Sequence, residues 1–244
     1  MAGISADPDY DVLVIGAGHA GCEAAFAASR MGFETCLMTI HLETIAQMSC
    51  NPAIGGLAKG QLVKEIDALG GMMGVLADRT GIQFRLLNRS RGGAVQAPRA
   101  QSDKTIYRTA MKSWLEKCPR LTLFQGIAAE LLVKNGRAIG VRTLGGERIL
   151  ARAVIITPGT FLNGLIHMGM NHYPAGRANE PAAAELGDSI KSLGFRTFRL
   201  KTGTPMRIHK DTVDWEQFTP QPGDENPVPF SFRTRIPLEN KVVC

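Results

Sequence analysis

The 244 residues are 44% hydrophobic and 20% charged and include 27 glycines, the composition of an ordinary soluble α/β protein and not of a disordered chain. No apolar run approaches the ~20 residues of a membrane-spanning helix. The opening MAGISADPD also lacks the basic and apolar segments of a secretory leader, so a cytoplasmic protein is expected. The net charge of +6 is unevenly spread: from Arg79 to Arg120 ten Lys and Arg face only Asp103 and Glu116, a local +8 that leaves the rest at −2. Such a field attracts polyanions, nucleic acid among them, or is a solvated surface beside one pyrophosphate-bearing cofactor.

In chain order, Tyr10 to Ile15 reads as a buried parallel strand, Ala20 to Arg30 as a helix and Glu34 to Thr39 as a second strand, completing strand–helix–strand. Apolar Leu62, Val63, Ile66 and Leu69 give helical spacing to Lys59–Leu69. Gln83 to Leu87 suits a strand, Ser90 to Gln101 a loop, and Ser102 or Asp103 can cap a helix running to about Lys117. Short strands come next near Leu121–Phe124, Ala129–Lys134 and Arg137–Thr143, the last two joined by the hairpin signal Asn135-Gly136. Ala153 to Thr157 is a further strand and Glu180 to Leu193 a helix; prolines are dense from Thr202 onward. The five cysteines (Cys22, Cys36, Cys50, Cys118, Cys244) contain no C-x-x-C pair, which argues against a disulfide framework or a zinc site.

Gly16-Ala17-Gly18-His19-Ala20-Gly21 stands between the first strand and the first helix. Gly16 permits the tight turn, Gly18 lets a pyrophosphate approach the backbone, and Gly21 allows close helix–strand packing. The helix N-terminus offers its N–H groups and dipole to the phosphates. This fingerprint indicates a dinucleotide site but does not separate FAD from NAD. The acidic ribose ligand expected ~20 residues onward is missing. Thr39 stands there instead, able to exchange one hydrogen bond with a ribose hydroxyl, with Glu43 four residues later, and the ribose-holding residue stays open. The strand ending in Thr157-Pro158-Gly159-Thr160 looks like the Thr/Gly turn of two-dinucleotide flavoproteins, which favours FAD; one more plain parallel strand is the alternative. The His19 side chain is expected to point outward, and the other histidines lack metal-ligand spacing.

The stretch Gln47-Met48-Ser49-Cys50-Asn51-Pro52-Ala53-Ile54-Gly55-Gly56 is the most unusual. Asn51 as N-cap and Pro52 at the first helical position would set Cys50 beside a helix N-terminus, whose positive pole lowers a thiol pKa and makes a nucleophile. The alternative is a small buried residue. Cys36, fourteen residues earlier and inside a strand, is poorly placed for a redox pair, and Gly55-Gly56 would suit close approach to a flavin.

Ser49-Cys50-Asn51-Pro52-Ala53-Ile54-Gly55-Gly56, with Lys59-Gly60, Leu62-Val63-Lys64-Glu65, Asp67-Ala68-Leu69-Gly70-Gly71, Gly81-Ile82-Gln83-Phe84-Arg85 and Leu200-Lys201-Thr202-Gly203-Thr204-Pro205, resembles the GidA (MnmG) family. These are FAD-dependent tRNA wobble-uridine modification enzymes, and the resemblance runs from Asp11 to Cys244. It implies an α/β fold: a Rossmann-like FAD-binding domain of the glutathione-reductase type over residues 1–200, then the start of an inserted β-rich domain over 201–244. It also implies that this is the N-terminal part of a longer protein, whose later GTGPRYCPS-type motif with a second cysteine is not in this chain.

The chemistry implied by the resemblance is addition of a carboxymethylaminomethyl or aminomethyl group to C5 of the wobble uridine, together with the MnmE GTPase. Methylenetetrahydrofolate gives the carbon, glycine or ammonia the amine, and NADH with FAD the reducing equivalents; a homodimer is implied in the same way. Cys50 becomes the candidate nucleophile at C6 of uracil, or its acid/base support, with the second cysteine as competitor. Flavin contacts are implied near Ala128 and near Ala183, where alanine replaces a family serine, besides Gly16 to Gly21, Thr39, Gly159 and Thr160. Arg89, Arg91 and Arg99 match the family's basic, glycine-containing loop, which lines the active site with contact to flavin or tRNA phosphate, or is simply solvated. Two rivals are a non-catalytic FAD-binding and interaction fragment, and a folate-dependent tRNA uridine methyltransferase, whose glycine loop and cysteine region differ.

Overall fold

The computed structural model describes residues 7–244. In chain order its elements are β1 (Tyr10–Ile15), α1 (His19–Arg30), β2 (Thr35–Thr39), β3 (Ala53–Gly55), α2 (Gly60–Ala68), α3 (Met73–Thr80), β4 (Gly81–Leu87), β5 (Ala97–Ser102) and α4 (Lys104–Glu116). Then come β6 (Leu121–Gln125), β7 (Ala128–Lys134), β8 (Arg137–Thr143), β9 (Arg148–Ile156), β10 (Leu165–Met168), β11 (Asn171–Pro174) and α5 (Ala184–Ser192). The chain divides into two compact units: one takes the chain up to Gln47 and Lys112–Leu200, the other Met48–Met111 and Lys201–Cys244. The divisions fall after Gln47, Met111 and Leu200, so that Met48–Met111 groups with Lys201–Cys244.

The first unit is a six-stranded sheet in the order β6-β2-β1-β9-β8-β7. β1 lies between β2 and β9, parallel to both, so its apolar run is buried: Leu13 and Val14 have no exposure. β9 has two kinds of partner. Its start pairs antiparallel with β8, while Ala151 to Ile156 run parallel to β1. Asn135 and Gly136 join β7 to β8 with φ of +53° and +74°, the twist a two-residue hairpin turn requires. α1 packs on the sheet through Cys22, Ala25, Phe26 and Ala28, and Phe26 meets Trp114 edge-on at 6.4 Å. Burial pushes the Cys22 and Cys36 thiols up to about 12, so both are packing residues, not nucleophiles.

The second unit is built on a three-stranded antiparallel sheet in the order β3-β5-β4. β5 corrects the loop expected over Ser90 to Gln101, for Ala97–Ser102 is the central strand. Pro98 and the polar Arg99 and Gln101 disguise it in the sequence; the Pro98 carbonyl accepts the Gly56 N–H at 2.8 Å. α3 has no counterpart in the sequence reading, although Val75, Leu76 and Ala77 are buried. Asp103 caps α4 as expected, its carboxylate accepting the N–H groups of Thr105 (2.8 Å) and Ile106 (2.9 Å).

Lys201–Cys244 contains no strand and has only short 3-10 turns at Lys210–Thr212 and Trp215–Gln217. The reason lies in how it covers the open edge of β4. The Asn240 carboxamide accepts the Phe84 N–H (2.7 Å), Asp224 accepts that of Leu86 (2.8 Å), and the Lys241 N–H donates to the Ile82 carbonyl (2.7 Å). Two side-chain acceptors and the backbone N–H groups of Asp224 and Lys241 thus satisfy the edge without forming a further strand.

Two buried carboxylates fasten the same segment. Asp67 of α2 accepts from the Ser231 hydroxyl (2.6 Å), the Phe232 N–H (2.9 Å) and the Arg233 guanidinium (2.7 Å). Asp78 of α3 accepts from the N–H groups of Phe230 and Ser231 (both 2.9 Å) and from the Thr234 hydroxyl (2.5 Å). Burial alone would raise the Asp67 pKa, but its hydrogen bonds and the Arg233 charge hold it below the usual range; for Asp78 burial wins and the pKa is raised.

Candidate functional site

The glycine loop leaves β1 at its carboxyl end and enters α1. Gly16 has φ of +97°, and a Cβ there would lie 2.3 Å from the Thr157 carbonyl oxygen. A Cβ on Gly21 would lie 1.7 Å from the Gly16 carbonyl oxygen and 2.7 Å from Thr157 Oγ1. That hydroxyl donates to the carbonyls of Ile15 (2.9 Å) and Gly16 (2.8 Å), tying the loop to the end of β9. Gly18 differs: a Cβ there would meet nothing within 4 Å. Gly18 is also the N-cap of α1, with no side chain to cap the helix and no acidic residue in its first turn. Two glycines are thus required by packing, and the middle one leaves the helix start open to an anion.

Around this loop, Ala17 is buried and its carbonyl accepts the Ala46 N–H at 2.8 Å, whereas Ala20 is exposed. Thr39 ends β2, where a ribose ligand is expected, and its carbonyl accepts the Gly126 N–H at 2.8 Å. Glu43 nearby is held by Lys112 at 2.5 Å. Ala128 and Ala183 are buried in the hydrophobic cluster that also contains Ile15 and Met38. They therefore sit with the loop end of the sheet, and only their backbones can offer polar contacts. Gly159 is exposed with φ of +54°; the Thr160 hydroxyl is engaged, donating to the Gly176 carbonyl at 2.7 Å. His19 does not point outward as expected: it is largely packed in, and burial lowers its pKa, which favours the neutral imidazole. Thr157, whose hydroxyl closes the loop, had no sequence signal beyond its place before Pro158-Gly159.

Cys50 belongs to the second unit and does not stand at a helix N-terminus. Ala53–Gly55 pairs with β5 as β3, and Gly55 and Gly56 have φ of +82° and +93°, which no helix passes through; α2 begins only at Gly60. The expected dipole activation of the thiol therefore has no basis. Cys50 Sγ donates to the Gly203 carbonyl at 3.1 Å, and the Cys50 carbonyl accepts from the Arg207 guanidinium, a partner the sequence reading missed. Gly55 is not open to a flavin, since Phe230 and the Pro98 carbonyl fill the place of its Cβ; Gly56 is open.

The three arginines have separate surroundings. Arg89 pairs with Asp224 at 2.6 Å, Arg91 is exposed without an ion-pair partner among the described residues, and Arg99 is half-buried on β5. Among the described residues no helix is long and apolar enough to cross a membrane, and no group of three or more His, Cys, Asp or Glu is placed to hold a metal ion.

A family profile described as glucose inhibited division protein A, GIDA, matches residues 11–244. The chain is 57% identical over 231 residues to the tRNA uridine 5-carboxymethylaminomethyl modification enzyme MnmG of Geobacter sulfurreducens, covering 95% of this chain and 37% of that protein. It is 54% identical to the protein of the same name from Geobacter metallireducens, covering 100% and 39%. The structure of Aquifex aeolicus GidA superimposes with a TM-score of 0.90 at 48% identity, over 96% of this chain and 40% of that one. A GidA-related protein from Thermus thermophilus gives a TM-score of 0.56 at 26% identity, over 77% and 69%. The fold is thus the Rossmann-like α/β fold of the GidA structures, and the chain spans less than two-fifths of the curated relatives' length.

Proposed function

The chain belongs to the GidA family, and from that premise we propose that it is the nucleotide-binding part of an FAD-dependent enzyme that adds a (carboxymethyl)aminomethyl group to C5 of the wobble uridine in tRNA. The observation that carries this reading is the glycine loop, closed by Thr157 at Gly16 and Gly21 and open at Gly18. That cradle fits a dinucleotide pyrophosphate, and the family favours FAD over NAD as its resident. When bound, FAD supplies a two-electron carrier. The amides and dipole at the start of α1 hold the pyrophosphate, and Thr39 hydrogen-bonds a ribose hydroxyl. The backbones of Ala128, Gly159, Thr160 and Ala183 complete the flavin-nucleotide surface.

Cys50 is the proposed nucleophile. With its proton given up to a base, the thiolate sulfur adds to C6 of uracil and makes C5 an enolate carbon able to attack the one-carbon unit of methylenetetrahydrofolate; loss of the C5 proton then restores the C5–C6 double bond and expels the sulfur. The bond from Sγ to the Gly203 carbonyl must break first. NADH as reductant, the MnmE GTPase as partner, a homodimer and a cytoplasmic setting belong to the same reading. Because the chain spans 37% and 39% of the Geobacter relatives, the complete reaction is assigned to the longer protein.

The first test is to purify the chain, record its visible spectrum and identify the released chromophore. FAD is expected; NAD alone, or a folded chain that takes up no FAD, overturns the reading. In the longer protein, Cys50→Ser should retain flavin and lose uridine modification, and normal modification would remove Cys50 from the chemistry.

A further inference from the structure

At the carboxyl end of β9 the chain runs from Thr157 into residues 158–164 and, after the β10–β11 hairpin, returns along residues 175–183. These two stretches form no strand of their own and carry isolated bridges, Leu162 with Ala183 and Arg177 with Glu180. They are tied closely all the same. The Thr160 hydroxyl donates to the Gly176 carbonyl (2.7 Å), the Ala183 N–H to the Phe161 carbonyl (2.8 Å) and the Ala175 N–H to the Gly164 carbonyl (3.1 Å). Without a ladder to hold it, this backbone depends for its position on the side chains packed behind it.

An ion pair stands there. Arg177 Nε and Nη2 donate to the two carboxylate oxygens of Glu180 at 2.7 and 2.9 Å, and both side chains are largely buried, 17% and 12% exposed. The pair closes a turn in which Asn179 has φ of +63° and the Glu180 N–H donates to the Arg177 carbonyl at 2.9 Å. The guanidinium lies over the Phe161 ring, 5.6 Å from its centre, and a Cβ on Gly176 would lie 2.1 Å from the same ring. Phe161 is thus held from the turn, and it is the neighbour of Thr160. Burial of an ion pair adds little net stability, because desolvation offsets the Coulomb gain. What two parallel hydrogen bonds add is direction: they fix the plane of the guanidinium and of whatever stacks on it.

We infer that Arg177 and Glu180 are positioning residues for the flavin half of the bound dinucleotide, acting through Phe161 on the backbones of Gly159, Thr160 and Ala183. The inference rests on the FAD reading proposed above. β1 lies between β2 and β9 and runs parallel to both, so the three carboxyl ends share one edge of the sheet. Thr39 ends β2 on one side of the glycine loop, and residues 158–164 follow β9 on the other. With a pyrophosphate at the loop and one ribose at Thr39, the β9 side is left for the other half of the dinucleotide.

The test titrates the full chain with FAD and with ADP, which lacks the flavin half, in four forms: unaltered, Arg177→Lys, Glu180→Gln and both together. Arg177→Lys keeps the charge and loses the fork. Each single change should weaken FAD about tenfold and the double change no further, because both break one interaction. ADP should bind all four forms alike, and the visible band of bound FAD should shift in the variants. A pair that merely supports the fold would lower the unfolding midpoint and leave that band unmoved. Unchanged FAD affinity, additive losses, or an equal loss of ADP affinity overturns the inference. So does FAD binding that weakens in Arg177→Lys but holds in Glu180→Gln, which would make Arg177 a direct phosphate contact. Hydrogen exchange without ligand guards against misfolding: it should quicken in residues 158–183 and stay unchanged in β1, and quickening throughout the sheet overturns the inference too. An unaltered chain that takes up no FAD overturns the FAD reading along with it; failure in the variants alone leaves that reading standing.

Discussion

The glycine loop of the first unit is shaped by backbone: Gly16 and Gly21 fit because Thr157 and the loop's own carbonyls leave no room for a Cβ. In the second unit side chains do the shaping. Asp67 and Asp78 fasten residues 230–234, and Phe230 fills the place a Gly55 Cβ would take. The first kind of site needs residues close in sequence plus one threonine. The second needs partners more than 150 residues apart, each held by hydrogen bonds in the interior. They should therefore fail in different ways.

The largest effect is expected at Asp67. Its carboxylate is buried, and Asp67→Ala strands the Ser231 hydroxyl and the Phe232 N–H, which should cost about 3 to 4 kcal/mol in denaturant unfolding. Gly21→Ala comes next, at about 3 kcal/mol, because the new methyl overlaps backbone that cannot move without opening the loop. Gly18→Ala should leave stability within about 0.5 kcal/mol, because a Cβ there meets nothing within 4 Å, while FAD affinity falls if the proposed pyrophosphate takes that open space. If Gly18→Ala unfolds the chain as Gly21→Ala does, the division between packing glycine and binding glycine is wrong.

A titration of stability sharpens the contrast inside the second unit. The Asp67 pKa is lowered on folding, so its contribution is fully present above the ordinary carboxylate pKa of ~3.9 and is lost as the pH falls through the lowered value. Asp78 has the opposite sign: its raised pKa gives a contribution that is complete below ~3.9 and is lost as the pH rises through the raised value. Denaturant unfolding of Asp67→Asn and Asp78→Asn against the unaltered chain, from neutral pH down to about 3, should show differences that run in opposite directions. The smallest effect is on the surface. Arg91→Glu should weaken tRNA binding and flatten its salt dependence without a stability cost. Arg89→Glu should do the same and lose up to about 1 kcal/mol with the Asp224 pair.

The same contrast explains what was legible in the sequence. β1, α1 and β2 follow from local periodicity, the glycine fingerprint sits where strand meets helix, and Asn135-Gly136 and Asp103 act as the turn and cap their types imply. The second unit is harder to read. Asn51-Pro52 imitates a helix start, and only the left-handed conformation of Gly55 and Gly56, imposed beside β5, excludes it. Apolar spacing found α2 but not its buried face: Leu62 and Leu69 are exposed, whereas the charged Asp67 is inside. Its reason for being there, residues 231 to 233, lies some 165 positions away and no local pattern announces it. Arg99 was legible as a basic residue; its place in a central strand was not, because β5 reads as a loop.

β9 changes partner along its length, antiparallel to β8 at its start and parallel to β1 at its end, and then delivers Thr157 to the glycine loop across 141 residues of sequence. On the ribosome the nascent chain therefore exposes Gly16 to Gly21 long before the threonine that closes them has been made. β7, β8 and the start of β9 can zip up locally as soon as they emerge, but alignment with β1 waits on a long loop closure. The glycine loop is made long before the threonine that closes it, so if FAD is its ligand, capture marks completion of the sheet and not its beginning.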